Sequence, residues 1–278
     1  MNLNKFKVLE FDLKTMVENP AIVMIAKRGS GKSYITRDII YYYRDIPGGV
    51  VIAPTDRMHP FFKFFFPDLY IHYNIDEIIL KKILVRQTIM MQKRDAKKKM
   101  GLKVDSRAIL IMDDCLSKKK TWQKSDSIIE ILMNGRHYGL TYILTMQTPL
   151  GITPDLRLNF DYVFLLKDNS AINKKKLYDN YASMFPTVAY FEKVFAACTV
   201  DYKALVINNK SNSDEIKDNV FWFKAKPRKF TFGSSKFVRI HRRYYDKDCI
   251  MKKNAAIIGM NVLKKKNDIN LRVEMKSL

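Results

Sequence analysis

The amino-acid sequence predicts an α/β protein with a mainly parallel central sheet flanked by helices. Six short apolar runs lack polar alternation, as do strands that are buried on both faces. They cover residues 21–26, 49–53, 108–112, 141–146, 162–166 and 204–207. Stretches long enough for crossover helices separate several of these runs, and such alternation is typical of an α/β sandwich. The chain has 278 residues, 47% of them hydrophobic, and is long enough to bury a substantial core.

The helices and a C-terminal extension complete this outline. Helices are predicted over residues 32–44, 76–99, 124–136, 169–181 and 188–197. After residue 217, segments 220–226 and 237–245 mix aromatic and basic side chains. Their alternation predicts a pair of strands packed against the core, although aromatics and cations also suit a nucleic-acid platform. We therefore expect a core of residues 1–216 and a basic extension of residues 217–278, packed on or beside the core.

The charge of the chain favours a polyanionic partner. Lysine and arginine number 50 against 28 aspartates and glutamates, which gives a net charge of +22. Nucleic acid or an anionic membrane surface is the usual partner of so basic a protein. Compositional drift is the alternative, because lysine outnumbers arginine 36 to 14. The net charge is +10 in residues 1–139, zero in 140–216 and +12 in 217–278.

The sequence indicates a soluble intracellular protein with no membrane partner. The longest apolar runs are far shorter than the roughly 20 residues of a spanning helix. Charged residues interrupt the N-terminal stretch, which therefore does not resemble a signal peptide. Three cysteines, at positions 115, 198 and 249, show neither metal-binding spacing nor a disulfide framework.

The strongest local motif is AKRGSGKS at residues 26–33, directly after the first apolar run. It matches the phosphate-binding pattern GxxxxGK[ST], except that Ala26 replaces the first glycine. In such a loop the backbone N–H groups cradle phosphates at a helix N-terminus. The motif predicts that Lys32 reaches the terminal phosphates and that the Ser33 hydroxyl binds Mg²⁺. The nucleotide-binding residues predicted are Lys27, Arg28, Gly29, Ser30, Gly31, Lys32 and Ser33.

Two acidic residues end the third apolar run. We expect Asp113 to hold the Mg²⁺ shell and Asp114 to polarise the attacking water as a general base. The alternative is a pair of acids that simply ends a strand in a surface loop.

Two further polar residues flank the fourth apolar run. Gln147 follows it and would contact the γ-phosphate or the water, unless it is an ordinary turn residue before Pro149. Arg136 precedes it, and arginine is suited to the charge that develops in phosphoryl transfer. Arg136 would then act across a subunit interface, or it is a solvated residue at a helix C-terminus.

Taken in order, these motifs resemble the FtsK–HerA superfamily of P-loop ATPases. The resemblance is to the genome-packaging ATPases of poxviruses and other large double-stranded DNA viruses. It rests on AKRGSGKS (26–33), AILIMDD (108–114), NGRHYG (134–139) and YILTMQTP (142–149), and extends over roughly residues 20–210.

The resemblance implies a RecA-like core assembled as a homo-oligomeric ring, a pentamer or a hexamer. It implies ATP and Mg²⁺ as cofactors, with Lys32, Asp114, Gln147 and Arg136 in the catalytic set and Ser33 and Asp113 on the metal. The implied function is ATP-driven translocation of double-stranded DNA into a capsid, beside capsid or portal-vertex proteins. The protein would be virion-associated or lie in the cytoplasm of the infected host cell.

A basic triplet offers a candidate contact with DNA. Lys118, Lys119 and Lys120 follow the aspartate pair closely and would face duplex phosphate, or form a solvated loop. Two other functional classes remain open: a small-molecule P-loop kinase and a nucleotide-binding DNA scaffold that does not hydrolyse ATP.

Overall fold

The computed structural model describes residues 6–115 and 125–246. Its strands are β1 Leu9–Glu10, β2 Ala21–Ile25, β3 Gly49–Ile52, β4 Ile71–His72, β5 Ala108–Asp113, β6 Leu140–Met146, β7 Tyr162–Leu166, β8 Ala204–Asn208 and β9 Val220–Phe223. Within the described ranges they form one sheet in the order β1-β9-β8-β7-β2-β6-β5-β3-β4. The six predicted apolar runs are thus strands of the sheet.

The direction of the strands is uniform apart from one. From β7 to β4 every neighbouring pair is parallel. β8 runs antiparallel to both of its neighbours, β7 and β9, whereas β1 is parallel to β9. The predicted mainly parallel sheet is therefore confirmed, with β8 reversed.

Helices cover both faces of the sheet. They are α1 Lys32–Tyr42, α2 Glu77–Lys98, α3 Asp126–Asn134, α4 Pro154–Arg157, α5 Ala171–Tyr181, α6 Val188–Cys198, α7 Ile216–Asn219 and α8 Ser235–Tyr244. Short 3₁₀ turns lie at Leu13–Thr15, Pro54–Arg57, Phe62–Phe64 and Asp68–Tyr70. One core cluster joins the sheet to α2, α3, α5 and α6, and a second joins it to α1 and α8. No described helix has the length and apolar character needed to cross a bilayer.

The strands are apolar throughout because both faces are covered. In β2, Val23 packs into the first cluster, whereas Ile22 and Met24 pack into the second. Successive side chains of a strand point to opposite faces, so a doubly covered strand shows no polar alternation.

Side-chain caps fix the start of most of the longer helices. Asp76 accepts a hydrogen bond from the Ile78 N–H at α2, and Ser125 caps α3 in the same way. Ser170, Thr187 and Ser234 cap α5, α6 and α8. These caps satisfy N–H groups that have no partner within the helix. At α1 the preceding residue is Gly31, which provides no such cap.

The basic extension departs from the predicted pair of strands. Its first segment contains the predicted strand, β9, which lies inside the sheet between β8 and β1. The prediction of a strand over 237–245 was wrong, because this segment forms α8. Phe237 of α8 stacks on Tyr70 with a ring-centroid distance of 3.8 Å. This contact packs α8 against the second core cluster. The boundary after residue 216 stays a prediction, and residues 247–278 lie outside the described ranges.

Candidate active site

The candidate site lies at the edge of the sheet where the parallel strands end. β2 leads into loop 26–33 and α1, β5 ends at Asp113, and β6 ends just before Gln147. β6 lies between β2 and β5, so these three strand ends are neighbours. Ligands of open α/β sheets usually bind at such an edge. The structure therefore brings together the loop, the aspartate pair and the strand-end glutamine.

The loop has the backbone of a phosphate cradle. Gly29 and Gly31 have φ values of +77° and +94°, a conformation that glycine adopts without strain. Ser30 Oγ donates a 2.6 Å hydrogen bond to the Lys27 carbonyl, which closes the turn. Because α1 starts without a side-chain cap, its first N–H groups are available to an anion.

Ala26 is accommodated at the first position of the motif. Its side chain is buried, and its N–H donates a 2.9 Å hydrogen bond to the carbonyl of Met146 on β6. Ala26 is not among the non-glycine residues with positive φ. The backbone at this position therefore does not require glycine.

Lys32 forms ion pairs with both aspartates. Its Nζ atom contacts Asp114 Oδ1 and lies 3.6 Å from Asp113 Oδ1. The lysine side chain is only 8% exposed. Asp114 itself has a positive φ of 50°, which is uncommon outside glycine. Such strain is often found at functional sites, where the surrounding structure maintains it.

Thr145, the last residue but one of β6, holds the two aspartates in place. Its hydroxyl donates a 2.6 Å hydrogen bond to Asp113 Oδ1 and accepts a 3.1 Å hydrogen bond from the Asp114 N–H. Gln147 Nε2 donates to Asp114 Oδ2 at 3.1 Å. Thr145 pairs with Asp113 in the parallel register of β6 and β5. The sequence did not reveal Thr145 as a site residue, because only this register places it beside the aspartates.

The electrostatics of the site favour a cation. Burial raises the pKa of the Asp113 carboxyl, and the charge of Asp114 raises it further. Lys32 and the Thr145 hydrogen bond oppose this rise in pKa. Two carboxylates in so small a volume are stabilised by positive charge, which Lys32 supplies.

The residues present also fit Mg²⁺. Mg²⁺ is typically bound by one or two carboxylates together with the phosphates of a substrate. Asp113 and the hydroxyl of Ser33 are oxygen ligands of the right kind, and both line the same cleft. Among the described residues no group of three or more His, Cys, Asp or Glu side chains could hold a metal ion by itself. An ion held by Asp113 and Ser33 would keep coordination positions for phosphate oxygens and water.

The cleft around these groups has a volume of about 760 Å³. Of the predicted nucleotide-binding residues, Lys27, Arg28, Gly29, Gly31, Lys32 and Ser33 line it. Its remaining walls were not predicted, and they come from Tyr34 of α1 and from three other segments. Thr55, Asp56, His59, Phe61 and Phe62 follow β3, and Tyr202, Lys224 and Ala225 lie at the ends of β8 and β9.

Lys27 is held at the rim by a carboxylate that follows β7. Its Nζ atom lies 3.2 Å from Asp168 Oδ1. Asp168 also accepts hydrogen bonds from the Ser170 N–H and from Asn173 Nδ2. Asp168 thereby fixes the start of the loop to the neighbouring strand end.

Arg136 does not lie in the cleft of its own chain. It precedes β6, whereas Gln147 follows it, so the strand separates them by about 20 Å. Arg136 forms an ion pair with Asp161, a buried residue directly before β7. Asp161 Oδ2 also accepts a 2.8 Å hydrogen bond from the Ala21 N–H. A catalytic role for Arg136 is therefore restricted to the site of another copy and stays a prediction.

The predicted DNA-contacting residues Lys118, Lys119 and Lys120 lie outside the described residues.

Comparison with known proteins places the chain among proteins of large DNA viruses. It is 59% identical to protein L437 of Acanthamoeba polyphaga mimivirus over 285 aligned positions, covering 100% of this chain and 99% of L437. The chain belongs to the same family as L437. Another member, protein 075L of Invertebrate iridescent virus 6, is 32% identical over 234 positions that cover 81% of this chain and 86% of 075L. No family model matches the sequence.

The fold of this L437-family member resembles those of solved P-loop ATPases. The crystal structure of B204, the DNA-packaging ATPase from Sulfolobus turreted icosahedral virus, has a TM-score of 0.53 and 17% identity, covering 76% of this chain and 100% of B204. The conjugation coupling protein TcpA of pCW3, in its ATPγS-bound monomer form, has a TM-score of 0.52 and 13% identity, covering 81% of this chain and 64% of TcpA. At these identities the likeness concerns the fold alone. The likeness confirms the predicted fold class, and it confirms the resemblance to viral packaging ATPases at the level of the fold.

Proposed function

We propose that this protein is a Mg²⁺-dependent ATPase that drives double-stranded DNA into a viral capsid. The observation that carries the proposal is the contact of Lys32 with Asp113 and Asp114 at an uncapped helix N-terminus. Phosphoryl transfer needs this combination of phosphate cradle, cation and carboxylates. B204 of Sulfolobus turreted icosahedral virus, whose fold this chain resembles, is a DNA-packaging ATPase. The genome-packaging NTPase B204 of Sulfolobus turreted icosahedral virus 2 has been solved with AMPPCP. Both parts of the proposal, hydrolysis and packaging, draw support from that likeness.

In the proposed reaction the loop binds the triphosphate. The N–H groups of residues 27–33 surround the phosphates, and Lys32 neutralises charge on the terminal oxygens. Ser33 and Asp113 would hold Mg²⁺, and the bound ion would offset the charge that builds on the phosphate oxygens. The same loop would admit other nucleoside triphosphates, because it contacts phosphate only.

Asp114 accepts the proton of the attacking water in this scheme. In the structure its carboxylate is held by Lys32 on one oxygen and by Gln147 on the other. Phosphate oxygens compete with Asp114 for Lys32, so nucleotide binding frees one carboxylate oxygen for the water. Gln147 then keeps the carboxylate oriented and senses the γ-phosphate.

The DNA-related part of the proposal rests on charge and assembly. A net charge of +22 suits sequence-independent contact with duplex phosphate. We assign part of that contact to Lys118, Lys119 and Lys120. Assembly as a homo-oligomeric ring, a pentamer or a hexamer, would present Arg136 to the cleft of a neighbouring copy. Capsid or portal-vertex proteins would then be partners, in the virion or in the host cytoplasm.

ATP turnover with and without duplex DNA, measured over a range of salt, tests the proposal. The wild-type protein should hydrolyse ATP faster with DNA, and the stimulation should fall steeply as salt rises. Asp114→Asn should lower kcat about 100-fold or more, the usual contribution of a general base. The matched control is Asp179→Asn, which makes the same charge change at an exposed position of α5 and should leave kcat unchanged.

The same measurements separate the two alternatives. Equal, near-zero turnover in wild type and Asp114→Asn would contradict hydrolysis and favour a nucleotide-binding scaffold. A small-molecule kinase would instead yield a phosphorylated metabolite and show no stimulation by DNA at low salt.

A further inference from the structure

Tyr202 lies beside the phosphate loop in a strained turn. The Lys203 N–H donates to the Val200 carbonyl at 3.1 Å and closes a turn whose central residues are Asp201 and Tyr202. Both central residues have positive φ, 54° and 60°. For a bulky residue such as tyrosine this conformation is unusual, and strain of this kind often accompanies ligand contacts.

The ring of Tyr202 is exposed although it lines the cleft. A side-chain carbon added to Gly31 would lie 3.3 Å from both Cβ and Cδ1 of Tyr202, so the tyrosine packs on the loop. Even so, 69% of the residue is exposed to solvent. The aromatic and cation–ring contacts found among the described residues do not include Tyr202, whereas Phe61 across the cleft packs against Tyr34 and Phe62.

The position of Tyr202, just before β8, indicates at which end of the cleft the base of a nucleotide would lie. The groups that handle the terminal phosphate lie at the start of α1 (Lys32) and at the end of β5 (Asp113 and Asp114). Tyr202 precedes β8, on the opposite side of β2. A nucleotide whose terminal phosphate is at the aspartates therefore has room for its ribose and base toward Tyr202, with Lys224 beyond.

We propose that Tyr202 is the platform on which the nucleobase of the bound triphosphate stacks. This inference rests on the proposed function, because it assigns the base end of the same nucleotide site. An exposed aromatic face held at a fixed distance from the loop suits a flat, apolar base, and stacking contributes substantially to the affinity for each base. Since every base has such a face, stacking favours the larger purines without fixing one base identity.

The test compares ATP with inorganic tripolyphosphate, which has the phosphates but no base. Binding of each to the full-length protein is measured by calorimetry with Mg²⁺. Tyr202→Asn removes the ring and keeps a residue that tolerates positive φ, and Tyr202→Phe keeps the ring. Tyr244→Ala is the matched control, since Tyr244 is 63% exposed on α8 and does not line the cleft.

Tyr202→Asn should weaken ATP binding about tenfold, within the range expected for one stacked base, and leave tripolyphosphate within about twofold of wild type. Tyr202→Phe and Tyr244→Ala should bind both ligands as wild type does. In hydrolysis, Tyr202→Asn should raise KM for ATP with little change in kcat.

Two results would overturn the inference while the proposed function stands. One is unchanged ATP affinity in Tyr202→Asn, and the other is an equal loss for ATP and tripolyphosphate, which would make Tyr202 a support of the loop only. A wild-type protein that binds neither ligand would overturn the nucleotide site itself, and the base platform with it.

Discussion

Replacing Thr145 with valine removes one oxygen atom from the centre of the site. Valine keeps the β-branched shape of threonine but lacks its hydroxyl, so the substitution tests that hydroxyl. The change deletes the 2.6 Å hydrogen bond to Asp113 and the acceptor of the Asp114 N–H. A hydrogen bond to a charged group contributes about 1.5–3 kcal/mol, and an unpaired buried donor costs about 1–3 kcal/mol. Thr145→Val should therefore lower the free energy of unfolding by about 2.5–6 kcal/mol.

The larger effect of this substitution should be on catalysis. Without Thr145 the two carboxylates lose the group that fixes their separation, and the pKa of Asp113 loses one of the contacts that oppose its rise. A displacement of about 1 Å in a reacting group can cost about 100-fold in rate, so we expect kcat to fall by about that factor. KM for ATP should change little, because Lys32 and the loop N–H groups remain.

The assay is steady-state ATP hydrolysis over a range of Mg²⁺ concentrations, with urea unfolding of the same samples. Thr145→Ser is the control, since serine provides the same donor and acceptor and should restore kcat to within a few-fold of wild type. A folded Thr145→Val protein with kcat within about threefold of wild type and unchanged Mg²⁺ dependence would refute the positioning role.

Three further predictions concern other charged groups. Lys32→Met should weaken ATP binding about 100-fold or more in calorimetry. The substitution removes the only cation that forms an ion pair with Asp113 and Asp114 among the described residues. Retained affinity would contradict the phosphate-binding role of Lys32. If Arg136 acts in another copy, mixing Arg136→Gln with Asp114→Asn should recover up to about a quarter of wild-type ATP turnover, because hybrid interfaces regain both Arg136 and Asp114. No recovery between two folded, co-assembling variants would contradict action in trans. Burial raises the pKa of Asp56, so the charged carboxylate is disfavoured in the folded protein. The contribution of the protonated carboxyl to stability is therefore fully present below about pH 4 and is lost as pH rises. Asp56→Asn should therefore be more resistant to urea than wild type at pH 7 and show no advantage at pH 4; the reverse order would contradict burial as the cause.

Most of the sheet could be predicted because of its parallel strands. A strand covered on both faces is apolar at every position, and each of the six predicted runs overlaps an observed strand to within one or two residues at its ends. The helices between the strands could also be predicted, because the segments that connect the strands are long enough to form them. Strand direction could not be read in the same way, since the reversed β8 has the same apolar pattern as its parallel neighbours.

The error at α8 has an identifiable cause. The segment around Phe237 mixes aromatic and basic residues, and this composition and its alternation favoured a strand. A helix signal was also present, because Ser234 precedes it and its hydroxyl accepts a 3.3 Å hydrogen bond from the Phe237 N–H. The spacing of Phe237, His241 and Tyr244 places them on one side of a helix. Here tertiary packing and the N-terminal cap prevailed over residue composition.

The candidate site was predictable where function follows a strand end directly. Lys32, Asp113, Asp114 and Gln147 all stand at or just beyond strands that the apolar pattern reveals. Thr145 required the register between two strands that are distant in sequence, which no local pattern contains.

One geometric rule accounts for both the composition of the cleft and the placement of Arg136. A residue that precedes a parallel strand lies at the edge opposite the phosphate loop, as Arg136 does before β6. Tyr202 also precedes its strand, but β8 is reversed, so its turn reaches the same edge as the loop. Had β8 been parallel, Tyr202 would lie beside Asp161, and the cleft would lack an aromatic wall on that side of β2. A single reversed strand therefore supplies the base platform from within the chain. No such reversal affects β6, so any catalytic arginine at position 136 must come from another subunit.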